Sequence, residues 1–284
     1  MSSVWWFYMV RSKYAPSETK YKRWITEGRG NGQGVDYLPW ITVRDVPSDG
    51  RSHRVFGHKS QRTHHLLSDL ELAVFLTLEW NSLTADIREQ FPLKREETLD
   101  IAANNGIRHP AEAGVKLYMS SDFLVDGLDP QLPQYVIQAK YTEFLSDPRV
   151  IEKLEIERRY WLLKKVPWFL ATEKDVSPTL VQNISWIYPA EQDEIDDEVL
   201  LDRTAYYGDL FQQNPNKTVT DICKLTDRIY NQPDGSSIYE IRQLLANRCF
   251  YFDMLSQPFH LLKGKDFVVE NMGNLIGARH VSNQ

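Results

Sequence analysis

Ser121-Asp122-Phe123-Leu124-Val125-Asp126 and, a short distance on, Val136-Ile137-Gln138-Ala139-Lys140 decide how this chain is read. Both are short apolar runs with β-branched and aromatic residues and read as strands, at 121–127 and 135–141, with Pro130 and Pro133 marking the turn between them. Side chains alternate along a strand, so Asp122, Leu124 and Asp126 share one face, and Val136, Gln138 and Lys140 share another. Paired as a hairpin, the two strands bring Asp122 and Lys140 to one edge of a sheet. Working outward, residues 68–80 read as a largely buried helix and 83–91 as a strand. A further helix spans 94–105 and stops at Gly106, a long amphipathic helix spans 149–165, and 168–172 is a short buried strand. Strands alternating with long helices predict an α/β fold, a mixed sheet flanked by helices. Nearer the start, Ser17 caps a helix that stops near Gly28, and Gly28-Arg29-Gly30-Asn31-Gly32-Gln33-Gly34 follows. That loop follows a helix and lacks a Lys-Ser/Thr ending, so it is not a nucleotide loop.

Composition bounds the function classes. The chain has 284 residues, 42% hydrophobic and 12% aromatic, enough for a sizeable core. It has no apolar run long enough to span a membrane. Val4-Trp5-Trp6-Phe7-Tyr8-Met9-Val10 reads as an edge strand or packing arm, not a signal peptide. Cys223 and Cys249 lack partner spacing, which excludes a cysteine zinc cluster and points to a reducing cytoplasm. The net charge is −6, but it is polarised: residues 11–65 hold eleven Lys/Arg against five acids, while 190–202 hold seven acids and no base. The basic block is either a solvated face or a phosphate-binding entrance. The acidic stretch marks the expected boundary between domains 1–190 and 191–284. Beyond it, helices at 194–212, 219–230 and 237–247 precede short strands at 249–252 and 267–270 around Lys263-Gly264-Lys265. Three helices and a hairpin outline a winged-helix domain, whose two lysines would suit a wing touching phosphate.

The chemistry rests on few residues. An acid on one strand, then an acid or amide two residues before a lysine on the next, is the arrangement of restriction-type nucleases. Hard divalent cations take carboxylate or carbonyl oxygens, such a cation assists phosphodiester hydrolysis, and a neighbouring lysine balances charge on the phosphate. The alternative is a cross-strand ion pair at a solvated edge. Gln138, where the wider pattern has an acid, weakens the match. Glu71 supplies a further carboxylate if the helix from Ser68 packs beside these strands; Ser68-x-x-Glu71 is equally a capping box, with Glu71 returning to the Ser68 backbone N–H. His64 and His65 either touch phosphate or serve packing, Arg88 either faces phosphate or solvent, and Trp161 and Trp168 read as core.

Several longer blocks sharpen this: His64-His65-Leu66-Leu67-Ser68-Asp69-Leu70-Glu71-Leu72-Ala73-Val74-Phe75, Asp86-Ile87-Arg88-Glu89-Gln90-Phe91-Pro92-Leu93, Ser121-Asp122-Phe123-Leu124-Val125-Asp126 and Glu157-Arg158-Arg159-Tyr160-Trp161. In order, and with the looser Glu27-Gly28-Arg29-Gly30 and Asp36-Tyr37-Leu38-Pro39-Trp40, they resemble the TnsA family, the endonuclease subunits of heteromeric bacterial transposases. The resemblance covers residues 17–190 well and the C-terminal third more loosely; the region before Ser17 matches nothing. It implies a restriction-endonuclease-like fold and Mg²⁺-dependent cleavage (Mn²⁺ as substitute) at the 5′ ends of a transposon. A DDE transposase subunit, TnsB-like, would cut the 3′ ends, and an AAA+ ATPase regulator, TnsC-like, would dock on the C-terminal domain. The protein would then be cytoplasmic, at the nucleoid when engaged. The family's metal ligands fall on Glu71 and Asp122, and its Gln-x-Lys pair on Gln138 and Lys140, with Gln138 expected to reach the metal through its backbone carbonyl. The competing readings are a free-standing restriction or repair nuclease and a non-catalytic winged-helix DNA-binding adaptor.

Overall fold

The Phe123-Leu124-Val125 run is withdrawn from solvent, Phe123 and Val125 completely, as a strand covered on both faces requires. In this computed structural model the described residues are 14–46 and 51–269, so the arm expected at Val4–Val10 lies outside them. The chain divides into two compact units between Asp175 and Val176.

The first unit contains α1 (Glu18–Thr26), β1 (His53–Gly57), β2 (Arg62–Leu66), α2 (Asp69–Trp80), β3 (Thr84–Pro92), α3 (Arg95–Asn104), β4 (Ala111–Glu112), β5 (Val115–Lys116), β6 (Ser120–Gly127), β7 (Gln134–Ala139), α4 (Pro148–Leu163) and β8 (Trp168–Ala171). Its main sheet has the order β3-β6-β7-β8. The β3–β6 and β6–β7 pairs are antiparallel, and β7–β8 is parallel, with α4 forming the crossover that parallel neighbours need. The sheet is mixed and flanked by helices, as expected. Leu124 and Val136 of the sheet, Ile101 of α3 and Ile156, Tyr160 and Trp161 of α4 form one buried cluster. Each such aliphatic side chain contributes about 1.5–3 kcal/mol by leaving water. β8 is less buried than its apolar sequence predicts, because it is an edge strand, with Phe169 48% exposed.

The β1–β2 hairpin has no counterpart in the sequence reading, since its residues are too polar to show a strand period. It is held by a buried polar network instead. Arg62 donates two hydrogen bonds to the Glu89 carboxylate, at 2.9 and 2.6 Å, and a third to the Ile87 carbonyl at 2.8 Å. His64 Nδ1 lies 2.8 Å from Glu89 Oε2, its Nε2 lies 2.6 Å from Ser60 Oγ, and both His64 and Glu89 are fully buried. Because β2 runs into the Ser68 cap of α2, this network also sets where α2 begins. Burial alone would raise the Glu89 pKa, but His64 and then Arg62 bring it down to about 2. A carboxyl depressed in the folded state contributes stability above its unfolded value of about 4.3 and loses it as pH falls toward 2. Glu89→Gln is therefore expected to destabilise the protein by about 3 kcal/mol at pH 7, since Arg62 stays buried without its counter-charge. Its cost should shrink below pH 4 in chemical denaturation; a pH-independent cost, or none, would contradict the network's role.

The second unit contains α5 (Pro178–Ile187), α6 (Asp197–Gln213), α7 (Val219–Ile229), α8 (Ser236–Ala246), β9 (Phe250–Tyr251) and β10 (Val268–Val269), with β9 and β10 antiparallel. The three expected helices and the hairpin are present. The boundary read at 190 falls inside this unit, and the reason is α5. Asn183 donates to the carbonyls of Met254 and Gln257, both at 3.0 Å, and its Oδ1 accepts from the Phe259 N–H at 2.8 Å. Trp186 stacks on Phe259 at 4.0 Å between centroids. The acidic stretch thus connects α5 to α6 within one unit. Lys263-Gly264-Lys265 is not a free wing tip: a Cβ on Gly264 would come within 2.7 Å of the Phe211 carbonyl of α6, so that turn is pressed against the helix. No helix among the described residues is long and apolar enough to cross a membrane.

Candidate functional site

Glu71 sits in the first turn of α2. Its backbone N–H donates to Ser68 Oγ at 3.1 Å, and Ser68 Oγ donates in turn to Glu71 Oε1 at 3.1 Å. Ser68 caps the helix, but the expected capping box is not completed: Oε2 accepts from the Leu67 N–H at 2.8 Å rather than from the Ser68 N–H. The same Oε2 accepts from Gln90 Nε2 at 3.3 Å, and that nitrogen also lies 3.3 Å from Asp122 Oδ1. One amide thus bridges two buried carboxyls from α2 and β6. Cap and site coincide in Glu71.

Gln90 is the residue sequence reasoning missed. It lies in β3 with φ +48°, a left-handed conformation rare for a non-glycine residue, and the β3–β6 register passes from Glu89↔Phe123 to Phe91↔Ser121 without pairing it. Such a conformation costs on the order of 1–3 kcal/mol and persists where its surroundings hold it. Here Ser120 Oγ donates to Gln90 Oε1 at 3.0 Å, and the Trp40 N–H donates to its carbonyl at 3.2 Å. Its neighbours are internal: Glu89 belongs to the network above, and Arg88 is buried against Asp126 at 2.6 Å. Neither of the readings open for Arg88, phosphate or solvent, describes it. His64 and Trp161 are core residues, whereas Trp168 is only partly buried.

Asp122 and Gln138 meet where the β6–β7 ladder ends. The Asp122 N–H donates to Gln138 Oε1 at 3.0 Å, and Asp122 Oδ2 accepts from the Ala139 N–H at 2.8 Å. Side chains thus take over the backbone bonds at the point where the strands part. The Val136 and Lys140 N–H groups donate to carbonyls of Pro167 and Ala171, so even-numbered backbone groups of β7 face β8. By the same alternation the Gln138 carbonyl faces β8, and the carbonyl on the Asp122 side is that of Ala139. The expectation for the Gln138 carbonyl is corrected accordingly. Lys140, half-buried, lines a cavity of about 230 Å³ with Gln138 and Glu157.

The electrostatics are those of a site short of positive charge. Burial, then the charge of Asp122, pushes the Glu71 carboxyl up to about 8. Burial also raises Asp122, against the lowering influence of Lys140. Glu157 of α4, another residue the sequence reading did not single out, is pushed up to about 8 by burial; its Oε1 accepts from Ser121 Oγ at 2.7 Å and from the Trp168 indole at 3.0 Å. Only an unseen sheet-to-helix contact reveals it, because in sequence it looks like one more charge on an amphipathic helix. Among the described residues no group of three or more His, Cys, Asp and Glu side chains is placed to hold a metal. Glu71 and Asp122, two hard anionic donors whose ionisation burial opposes, nonetheless fit a divalent cation completed by carbonyl or water oxygens.

Two family models match the chain in succession: "TnsA-like endonuclease N terminal" over residues 81–173 and "TnsA endonuclease C terminal" over residues 175–254. Their junction coincides with the division between the two units. A relative, the transposon Tn7 transposition protein TnsA of Escherichia coli, is 44% identical over 275 residues, covering 97% of this chain and 100% of that protein.

Proposed function

Because the chain belongs to the TnsA family of transposon endonucleases, we propose that its DNA hydrolysis takes place at Glu71, Asp122, Gln138 and Lys140, with Mg²⁺ as the working cation. A DNA endonuclease of this family is a divalent-metal enzyme, and Mn²⁺ is the expected substitute. The observation that carries the assignment is the Gln90 amide bridging the Glu71 and Asp122 carboxyls at 3.3 Å each, beside Lys140. Glu71, Asp122 and a backbone carbonyl of the Gln138-Ala139 segment would hold the cation. When bound it supplies the positive charge that makes water nucleophilic near neutral pH and balances the phosphate. Lys140 directs its ammonium toward the scissile phosphate and offsets charge as it develops there. Gln138 holds the Asp122 backbone, and Asp122 holds that of Ala139, so the parted strand ends keep their spacing. Glu157, whose carboxyl burial pushes up to about 8, lies beside Lys140 with its ionisation opposed.

The cuts proposed are at the 5′ ends of the element, on double-stranded DNA, together with a DDE transposase subunit that cuts the 3′ ends. An AAA+ ATPase regulator is the proposed partner of the second unit. In a reconstituted reaction on marked transposon ends, the chain alone should be nearly silent and should cut once the transposase subunit is added. Efficient cutting by the chain alone would favour a free-standing nuclease instead.

A further inference from the structure

Arg149, Lys153 and Glu157 lie at successive four-residue steps of α4 and share one face of it. At 1.5 Å per residue they span about 12 Å of the helix. Glu157 ends this stripe at the cavity that also holds Gln138 and Lys140. Pro110, Leu117 and Lys153 line that cavity and also a second one, which extends to Arg108, Lys116 and Arg149. The two are therefore one groove, running from the candidate centre between α4 and the β4–β5 hairpin.

The hairpin wall is built to hold its shape. Ala113 and Gly114 make its turn at φ +48° and +80°, the Leu117 N–H donates to the Pro110 carbonyl at 3.0 Å, and buried His109 lies 2.9 Å from Thr98 Oγ1. The groove is cationic in a chain whose net charge is −6. Arg108, Lys116 and Lys153 are exposed, and among the described residues none of them has an ion-pair partner. Arg149 pairs with Glu152, and Glu112 is the acid in the second cavity's lining. In the basic block at 11–65, read as either a solvated face or a phosphate entrance, Arg29 is tied to Asp45 at 2.7 Å and Arg62 is buried on Glu89.

We propose that this groove carries the DNA backbone on one side of the scissile phosphate, with Arg108, Lys116 and Lys153 contacting successive phosphates. The inference rests on reading the Glu71, Asp122 and Lys140 centre as the nuclease site. A polymer substrate must continue past the bond that is cut, and this groove is a cationic channel leading away from that centre. The α4 stripe of about 12 Å equals the rise of three to four nucleotides of one strand along a duplex axis, at about 3.4 Å each.

The test is the full-length triple variant Arg108→Ala/Lys116→Ala/Lys153→Ala, assayed in the reconstituted 5′-cleavage reaction over a salt series beside wild type and Asp122→Ala. All three side chains are exposed, so the thermal melting point should not move. The KM for DNA ends should rise at least about tenfold, and the slope of its logarithm against log salt should fall by about 2–3, while kcat at saturating DNA stays within about twofold. A variant with the wild-type KM and salt slope, beside an inactive Asp122→Ala, would overturn the groove and leave the nuclease reading standing. Active Asp122→Ala would overturn the nuclease reading itself. A triple variant that binds end DNA directly with wild-type affinity and salt slope but is no longer activated by the transposase subunit would overturn the proposal in favour of a protein occupant.

Discussion

Asp122→Asn should remove 5′-strand cleavage, by about a thousandfold or more, and leave the fold in place. The scale is that of deleting a principal electrostatic contact to the reacting group in an enclosed site. Asparagine is the sharper substitution than alanine. Its side-chain oxygen can still accept from the Ala139 N–H, the bond now made by Asp122 Oδ2 at 2.8 Å, so the junction between β6 and β7 survives. Alanine would leave that buried N–H without an acceptor, at about 1–3 kcal/mol. What both variants lose is the negative charge a hard cation needs. Lys140→Ala should fail similarly, since the Lys140 ammonium acts on both Asp122 and Glu157 and favours their charged forms. Strand-specific cleavage of end-labelled transposon DNA, read beside thermal melting, checks both. Wild-type cleavage by Asp122→Asn would remove the metal assignment.

Glu71→Gln separates cap from ligand. The glutamine keeps an oxygen to accept from the Leu67 N–H and a similar shape beside Ser68. It also relieves repulsion, because burial and then the charge of Asp122 push the Glu71 carboxyl up to about 8. Stability should therefore stay within about 1 kcal/mol of wild type, while cleavage falls by about a hundredfold or more. The pair of measurements is decisive only together. Normal cutting with a lowered melting point would make Glu71 a structural cap and nothing else.

The part of this site that sequence revealed is the part encoded by local pattern. Alternation along two strands brought Asp122 and Lys140 to one sheet edge with Gln138 on the Lys140 face, where the structure bonds Asp122 to Gln138, and the Ser68 cap signal placed Glu71 at the start of a helix. Gln90 and Glu157 escaped because their roles depend on contacts that no local period encodes. Gln90 acts through a left-handed backbone and reaches residues 19 and 32 positions away. Glu157 meets Ser121 across 36 positions, where a helix crosses the sheet. The basic block left two readings open for a related reason: counting charges along the chain cannot distinguish Arg62, buried on Glu89, from Lys153, which faces solvent. The domain boundary shifted because composition marks the acidic connector, whereas the hydrogen bonds of Asn183 decide which unit α5 joins.

The central claim is that Glu71 and Asp122 hold one divalent cation between them. Anomalous diffraction from crystals of the full-length protein grown with Mn²⁺ tests it most directly. The account predicts a manganese peak in coordinating contact with both carboxylates and with the Ala139 carbonyl, and no such peak in Asp122→Asn crystals. A peak bound elsewhere, or one unchanged in the variant, would contradict it.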